Sequence, residues 1–237
     1  MMSVDLLILG GGLAGAATSA FCWLALRPRC VNWGAGRAEI EAAMPGDEAI
    51  PNPAYVSTHA VTIKAQREDV WPWLVQMGHQ RGGLYTYDWI AQRLGVLDGP
   101  SAERIIPELQ HLDIGAVIPI GHGRGWPVKA LEPNRFLLVR VNAPRIEYTW
   151  SWVLNELDES HTRLILRTRS RWRSPLLVPL SPVASLCSFL MTRKHLLGIK
   201  QRAEIAAWQT EEWLSGRLYR GSWLPHISFS RQRPTTP

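Results

Sequence analysis

The chain has 237 residues, 46% hydrophobic and 19% charged, so it carries ample apolar surface for a folded core, and a disordered chain is excluded. Its formal net charge of +6 and pI near 9.6 suit anionic surfaces. The positive residues are spread out rather than grouped with stacking aromatics, which argues against a nucleic-acid partner.

The first element is LLILGGGLAGAATSAFCWLAL, Leu6 to Leu26. Gly10, Gly12 and Gly15 spell G-x-G-x-x-G, the spacing that lets backbone approach a pyrophosphate at a helix N-terminus. A dinucleotide site also needs a second strand ending in an acid ~20 residues further on. No acid occurs between Asp5 and Glu39, and no doubly wound alternation follows, so no cofactor is expected. The same 21 uncharged residues, at ~1.5 Å each, match a hydrocarbon core of ~30 Å. They predict an N-terminal transmembrane anchor over residues 1–30. A cleaved signal would begin with positive charge, which Met1 to Asp5 lack. Arg27 and Arg29 flank the run and predict a single-pass inner-membrane protein whose C-terminal domain faces the cytoplasm. Cys22, Cys30 and Cys187 stand at no ligand spacing and indicate neither a disulfide framework nor a zinc site.

Residues 31–54, broken by Pro45, Gly46, Pro51 and Pro53, read as an extended connector. A β-branched strand starts near Tyr55, with Ser57, His59, Val61 and Ile63 on one face and Val56, Thr58, Ala60 and Thr62 on the other. Glu68 and Asp69 open a helix whose Val70, Trp73, Leu74 and Met77 share a buried face, and Gly78 ends it. After the turn Arg81-Gly82-Gly83, Asp88 is placed to cap a short helix over Trp89 to Leu94. Strands follow at Ala116–Ile120, Pro127–Leu131, Phe136–Val141, Ile146–Leu154 and Thr162–Trp172, and their short connections predict an antiparallel meander. A helix over Val183 to Trp213 closes a domain at 55–215 and leaves 216–237 as a flexible tail.

The run VWPWLVQMGHQRGGLYTYDWI, with IIPELQHLDIGAVIPI, TWSWVLNELDESHTRLILRTRSRW and KHLLGIKQRAE after it, resembles the START-like (SRPBCC) superfamily. More narrowly, it is similar to an uncharacterised bacterial branch with an N-terminal hydrophobic segment. The likeness spans about Trp33 to Trp208. It implies an α+β helix-grip fold, a curved antiparallel sheet wrapped around a long C-terminal helix and enclosing an apolar cavity. Relatives bind lipids, sterols, hormones or polyketides, and a few catalyse cyclisation or dehydration. The superfamily shares no catalytic constellation, so fold transfers and activity does not.

Candidate binding residues follow from that cavity. Tyr148, Trp150 and Trp152 share one face of their strand, where they wall a pocket or fill it. Between Gln76 and Trp89, the residues Gln76, Arg81, Tyr85 and Tyr87 are placed to meet the polar end of a ligand, with Trp73, Met77 and Trp89 against its body. Their alternative is a structural turn, with the tyrosines capping the core. His195 is the best placed of seven histidines, though a lone histidine on such a helix suits a core or rim position equally. On Thr162 to Trp172 the residues Arg163, Arg167, Arg169 and Arg171, extended by Arg173, form a stripe, read as a solvated face or as a contact for anionic headgroups. The resulting expectation is a membrane-tethered domain holding a hydrophobic small molecule. A cyclase or dehydratase using the same cavity, and an interaction domain with a filled interior, are the alternatives.

Overall fold

Six strands, β1 (Tyr55–Ile63), β2 (Val117–Pro119), β3 (Gly125–Glu132), β4 (Phe136–Asn142), β5 (Ile146–Asp158) and β6 (His161–Trp172), form one antiparallel sheet in the order β1-β6-β5-β4-β3-β2. Among the described residues, the helices α1 (Arg37–Glu41), α2 (Arg67–Val75), α3 (Asp88–Arg93) and α4 (Ser181–Leu214) accompany it. The structure is a computed structural model and describes residues 29–174 and 181–214, the side chains at 181–183, 211, 213 and 214 excepted. The apolar run from Leu6 to Leu26 and the tail 216–237 lie outside those residues. Among the described residues no helix is long and apolar enough to cross a membrane.

The meander β2 to β6 follows the turn signals. The pairing of β1 with β6 does not, because it joins strands far apart in the chain. Strands β5 and β6 run well past the expected length of β5 and turn at Asp158, whose carboxylate accepts from the Ser160 N–H at 2.8 Å. On the concave face, Val61, Leu164 and Leu154 lie in register across three strands. Helices α2 and α4 pack there through Val70, Trp73 and Leu74 and through Leu196, Ile199 and Ala203, all at most 1% exposed. Helix α4 comes close because residue 198 is glycine: a Cβ there would sit 2.2 Å from the Tyr85 carbonyl oxygen.

The convex face corrects two expectations. Residues 31–54 are not an extended connector. They hold α1 and a 3-10 turn at Asp47–Ala49, and they bury Ile50 completely. Nor is the arginine stripe open, since Arg167 is only 3% exposed. Its guanidinium donates to the Asp47 carboxylate at 2.8 Å, to Thr58 Oγ1 at 3.1 Å, and to the carbonyls of Glu39, Ile40 and Ala42 at 2.7, 2.9 and 2.7 Å. Those carbonyls are the last acceptors of α1, which no helical N–H can reach. Arg163 forks onto Glu39 at 2.6 and 2.8 Å, and this hydrogen bond holds the Glu39 carboxyl below its usual range. Arg169 donates to the Ile50 carbonyl and Arg171 to that of Asn52. Arg173 joins Arg140 on the buried Glu147. The stripe clasps the chain's own backbone, because guanidinium forks supply the donors that irregular backbone needs when buried.

Candidate functional site

The concave face has a filled layer and an open end. In the filled layer Trp73 of α2, Tyr85, Trp152 of β5 and His195 of α4 are buried and touch in sequence. Trp73 meets Tyr85 edge-on at 5.8 Å between centroids, Tyr85 stacks near His195 at 6.4 Å, and His195 meets Trp152 at 5.9 Å. The Trp152 indole donates to His195 Nε2 at 3.1 Å. An indole N–H can only donate, so Nε2 is the acceptor and Nδ1 carries the proton given to the Leu84 carbonyl at 2.7 Å. Burial pushes His195 down to about 4, so the ring is neutral at physiological pH. Both its nitrogens are occupied.

Tyr85 adopts φ 53°, a left-handed conformation held by its N–H on Ser101 Oγ and by Arg202 lying over its ring at 5.0 Å. Its buried hydroxyl approaches the Gln76 amide without completing a hydrogen bond, and burial pushes its pKa up. Gln76 serves the loop after α3. Its amide nitrogen donates to the Arg104 carbonyl, and its oxygen accepts from the Ile106 N–H and from the Gln110 side chain. Arg81 donates to the carbonyls of Val75, Met77 and Leu109 and so closes the end of α2. Met77 is fully buried. Tyr87 stands at the N-cap of α3, partly buried, and Trp89 is 70% exposed, apart from the other rings. Asp88 does not cap α3; it begins the helix and accepts from the N–H and hydroxyl of Ser101, both at 2.7 Å.

Along β5 from Trp152 to Trp150 and Tyr148 the face opens, since the latter two rings project inward yet are only partly buried. Trp126 of β3 completes the cluster. It lies 4.7 Å from Trp150 and donates its indole N–H to the Tyr148 hydroxyl at 3.0 Å. Burial raises the Tyr148 pKa, and the Trp126 bond opposes that shift.

Beside these rings runs a polar row that the sequence reading did not single out. Trp150 pairs with Thr168, which pairs with Ser57; one step deeper, Trp152, Leu166 and His59 are aligned in the same way. Ser57 Oγ, Thr168 Oγ1 and His59 Nδ1 are buried and have no hydrogen-bond partner among the described residues. The other histidine nitrogen, Nε2, donates to the Cys30 carbonyl at 2.7 Å, and Phe189 of α4 covers the ring at 5.9 Å. Burial lowers the His59 pKa, with the Cys30 bond opposing. The signal was present in the sequence: Ser57 and His59 share the alternation of Val61 and Ile63, so polar atoms were due on the apolar face.

Elsewhere among the described residues, Leu197, Lys200, Gln201, Glu204, Ile205 and Trp208 line a shallow, open groove of about 420 Å³ along α4. No cluster of metal-ligating side chains occurs among them.

No protein-family model matches the chain. No curated protein matches it in sequence. Solved structures similar to it include a conserved protein from Geobacillus kaustophilus, at 14% identity over 63% of this chain and 95% of that one, with a TM-score of 0.39. The Zhui aromatase/cyclase from Streptomyces sp. R1128 aligns at 19% identity over 63% and 93%, TM-score 0.37. The Aha1 dimer from Colwellia psychrerythraea aligns at 18% over 62% and 98%, TM-score 0.35. At these values none of their activities transfers. The order of the sheet and the long helix laid across its concave face give this chain a helix-grip architecture, a curved antiparallel sheet around a long C-terminal helix.

Proposed function

We propose that the chain is a binding domain for an amphipathic small molecule, held at the aromatic end of the concave face and tethered to a membrane through Leu6 to Leu26. The observation that carries the binding site is the partial exposure of Tyr148 and Trp150, which project inward from a central strand whose next inward residues, Trp152 and Leu154, are buried. An inward ring left partly open is apolar surface that a ligand can cover. Removing ~200 Å² of such surface from water contributes about 5 kcal/mol before ordering costs. The tether rests on the uncharged length of the N-terminal run and its basic flank.

His195 has both nitrogens engaged, which favours binding over acid-base chemistry at that residue. A cyclase or dehydratase on the same face would draw on Tyr148, which belongs to the open cluster, and on His59 of the polar row beside it.

Native mass spectrometry of the full chain is expected to show a co-purifying apolar molecule, with its occupancy reduced in Trp150→Ala. Titration of the same two proteins with a fluorescent naphthalene probe is expected to weaken about tenfold on that substitution, the loss of ~1.4 kcal/mol of ring contact. An empty protein whose tryptophan emission ignores the probe overturns the reading.

A further inference from the structure

We infer that Ser57, His59 and Thr168 form a subsite for an uncharged hydroxyl or phenol at the end of a molecule lying on Trp150. The inference rests on the binding reading above and concerns only the chemistry of the polar end.

Three buried polar atoms without partners among the described residues lie on neighbouring concave positions, Thr168 and Ser57 one and two strand spacings from Trp150 and His59 one step deeper, or roughly 5–12 Å. A buried hydroxyl or imidazole lone pair left unpaired costs stability, so three together describe a place that a further polar group would satisfy. The donor and acceptor pattern narrows that group. His59 gives its Nε2 proton to the Cys30 carbonyl, so Nδ1 can only accept. Ser57 and Thr168 can donate or accept. A ligand O–H that donates to His59 Nδ1 and accepts from either hydroxyl pairs the row, whereas an ether oxygen leaves the histidine unpaired.

Charge excludes the anionic alternatives. Arg163, Arg167 and Arg169 project from the opposite face and are engaged with residues 34–51. Arg193 of α4 lies over the Trp33 ring at 5.1 Å. Among the described residues no cation is shown at the row, so a carboxylate or phosphate there would be buried without a counter-ion from them, a far greater cost than burying a hydroxyl. Phe189 roofs the histidine and keeps the row apolar in its surroundings.

The test compares 2-naphthol, 2-methoxynaphthalene and 2-naphthoate by equilibrium dialysis against the full chain and its Thr168→Val variant. The wild-type chain is expected to bind 2-naphthol about tenfold more tightly than either other probe. Thr168→Val keeps the side-chain shape and removes one hydroxyl. It is expected to reduce that preference several-fold, to leave 2-methoxynaphthalene unchanged, and to raise the thermal midpoint because an unpaired buried group is gone. Ser57→Ala provides a second variant with the same expected loss of preference. Equal affinity for the naphthol and its methyl ether, tightest binding of the naphthoate, or variants that do not alter the preference would overturn the subsite while leaving the binding reading intact. Failure of all three probes to bind would overturn both.

Discussion

His195 shows how one residue is chosen by chemistry that its neighbours complete. Its place on the last helix was evident in the sequence, but its role depends on a Trp152 indole and a Leu84 carbonyl brought from elsewhere in the chain. The pH dependence follows. In the unfolded chain this histidine titrates near ~6.5, and in the fold at about 4. Between those values the unfolded chain holds the extra proton, so the contribution is complete above the unfolded pKa and declines as pH falls. The full decline is roughly 3 kcal/mol. His59 shifts in the same direction and adds to it. Urea denaturation is expected to show stability dropping from about pH 6.5 toward 5, before most carboxylates protonate. His195→Gln keeps one donor and one acceptor and should flatten that drop markedly; an unchanged slope would mean that His195 is not buried in its neutral form. Gln76 and Arg81 teach a related lesson. Both were legible as candidate polar contacts for a ligand, yet backbone carbonyls and N–H groups, which every residue possesses and no sequence pattern distinguishes, take up most of their hydrogen bonds.

At the scale of elements, the segment 34–52 and strand β6 are one unit. The segment reads as a linker because prolines and glycines break its periodicity, and those residues do prevent a long helix. What they leave is a five-residue helix with unpaired carbonyls, which Arg167 gathers. Arg167→Met is expected to cost about 3–5 kcal/mol, since it leaves Asp47 without its main buried partner and frees three carbonyls. Limited proteolysis should then cut between residues 36 and 52, where the wild-type chain resists. Arg167→Lys is expected to rescue little, because a single ammonium cannot reproduce the fork. Resistance of Arg167→Met equal to that of the wild type would show that the segment docks through Ile50 and Met44 alone. The regular elements fared differently: β1 to β6, α2 and α4 fall close to their expected positions because alternation and helical spacing are local properties.

For the whole molecule, the segment 29–35 belongs to the domain. The Trp33 carbonyl accepts from the Ala60 N–H, and the Cys30 carbonyl holds His59. Deletion of residues 1–26 is therefore expected to leave the unfolding midpoint in urea nearly unchanged while abolishing carbonate-resistant membrane association. A chain beginning at Tyr55, the domain start that composition suggested, would lose Ile50 and every partner of Arg167 except Thr58. Persistent membrane association after the shorter deletion would remove the tether from the proposal and leave the binding site untouched.

From its residues alone the chain is determined to be an α+β domain, with the parity of each strand, the long final helix and the aromatic face of β5 in place, because side-chain alternation and turn chemistry act over a few neighbouring positions. Tertiary structure decided the rest. It paired β1 with β6, joining Thr58 to Arg167 across 109 positions, and turned a basic stripe inward onto an apparent linker. It also filled one layer of the concave face while leaving Trp150 partly open beside three unpaired polar atoms. These outcomes depend on which backbone groups and faces meet at long range, and such meetings are set by the packing of the whole sheet against α4 rather than by any local run of residues.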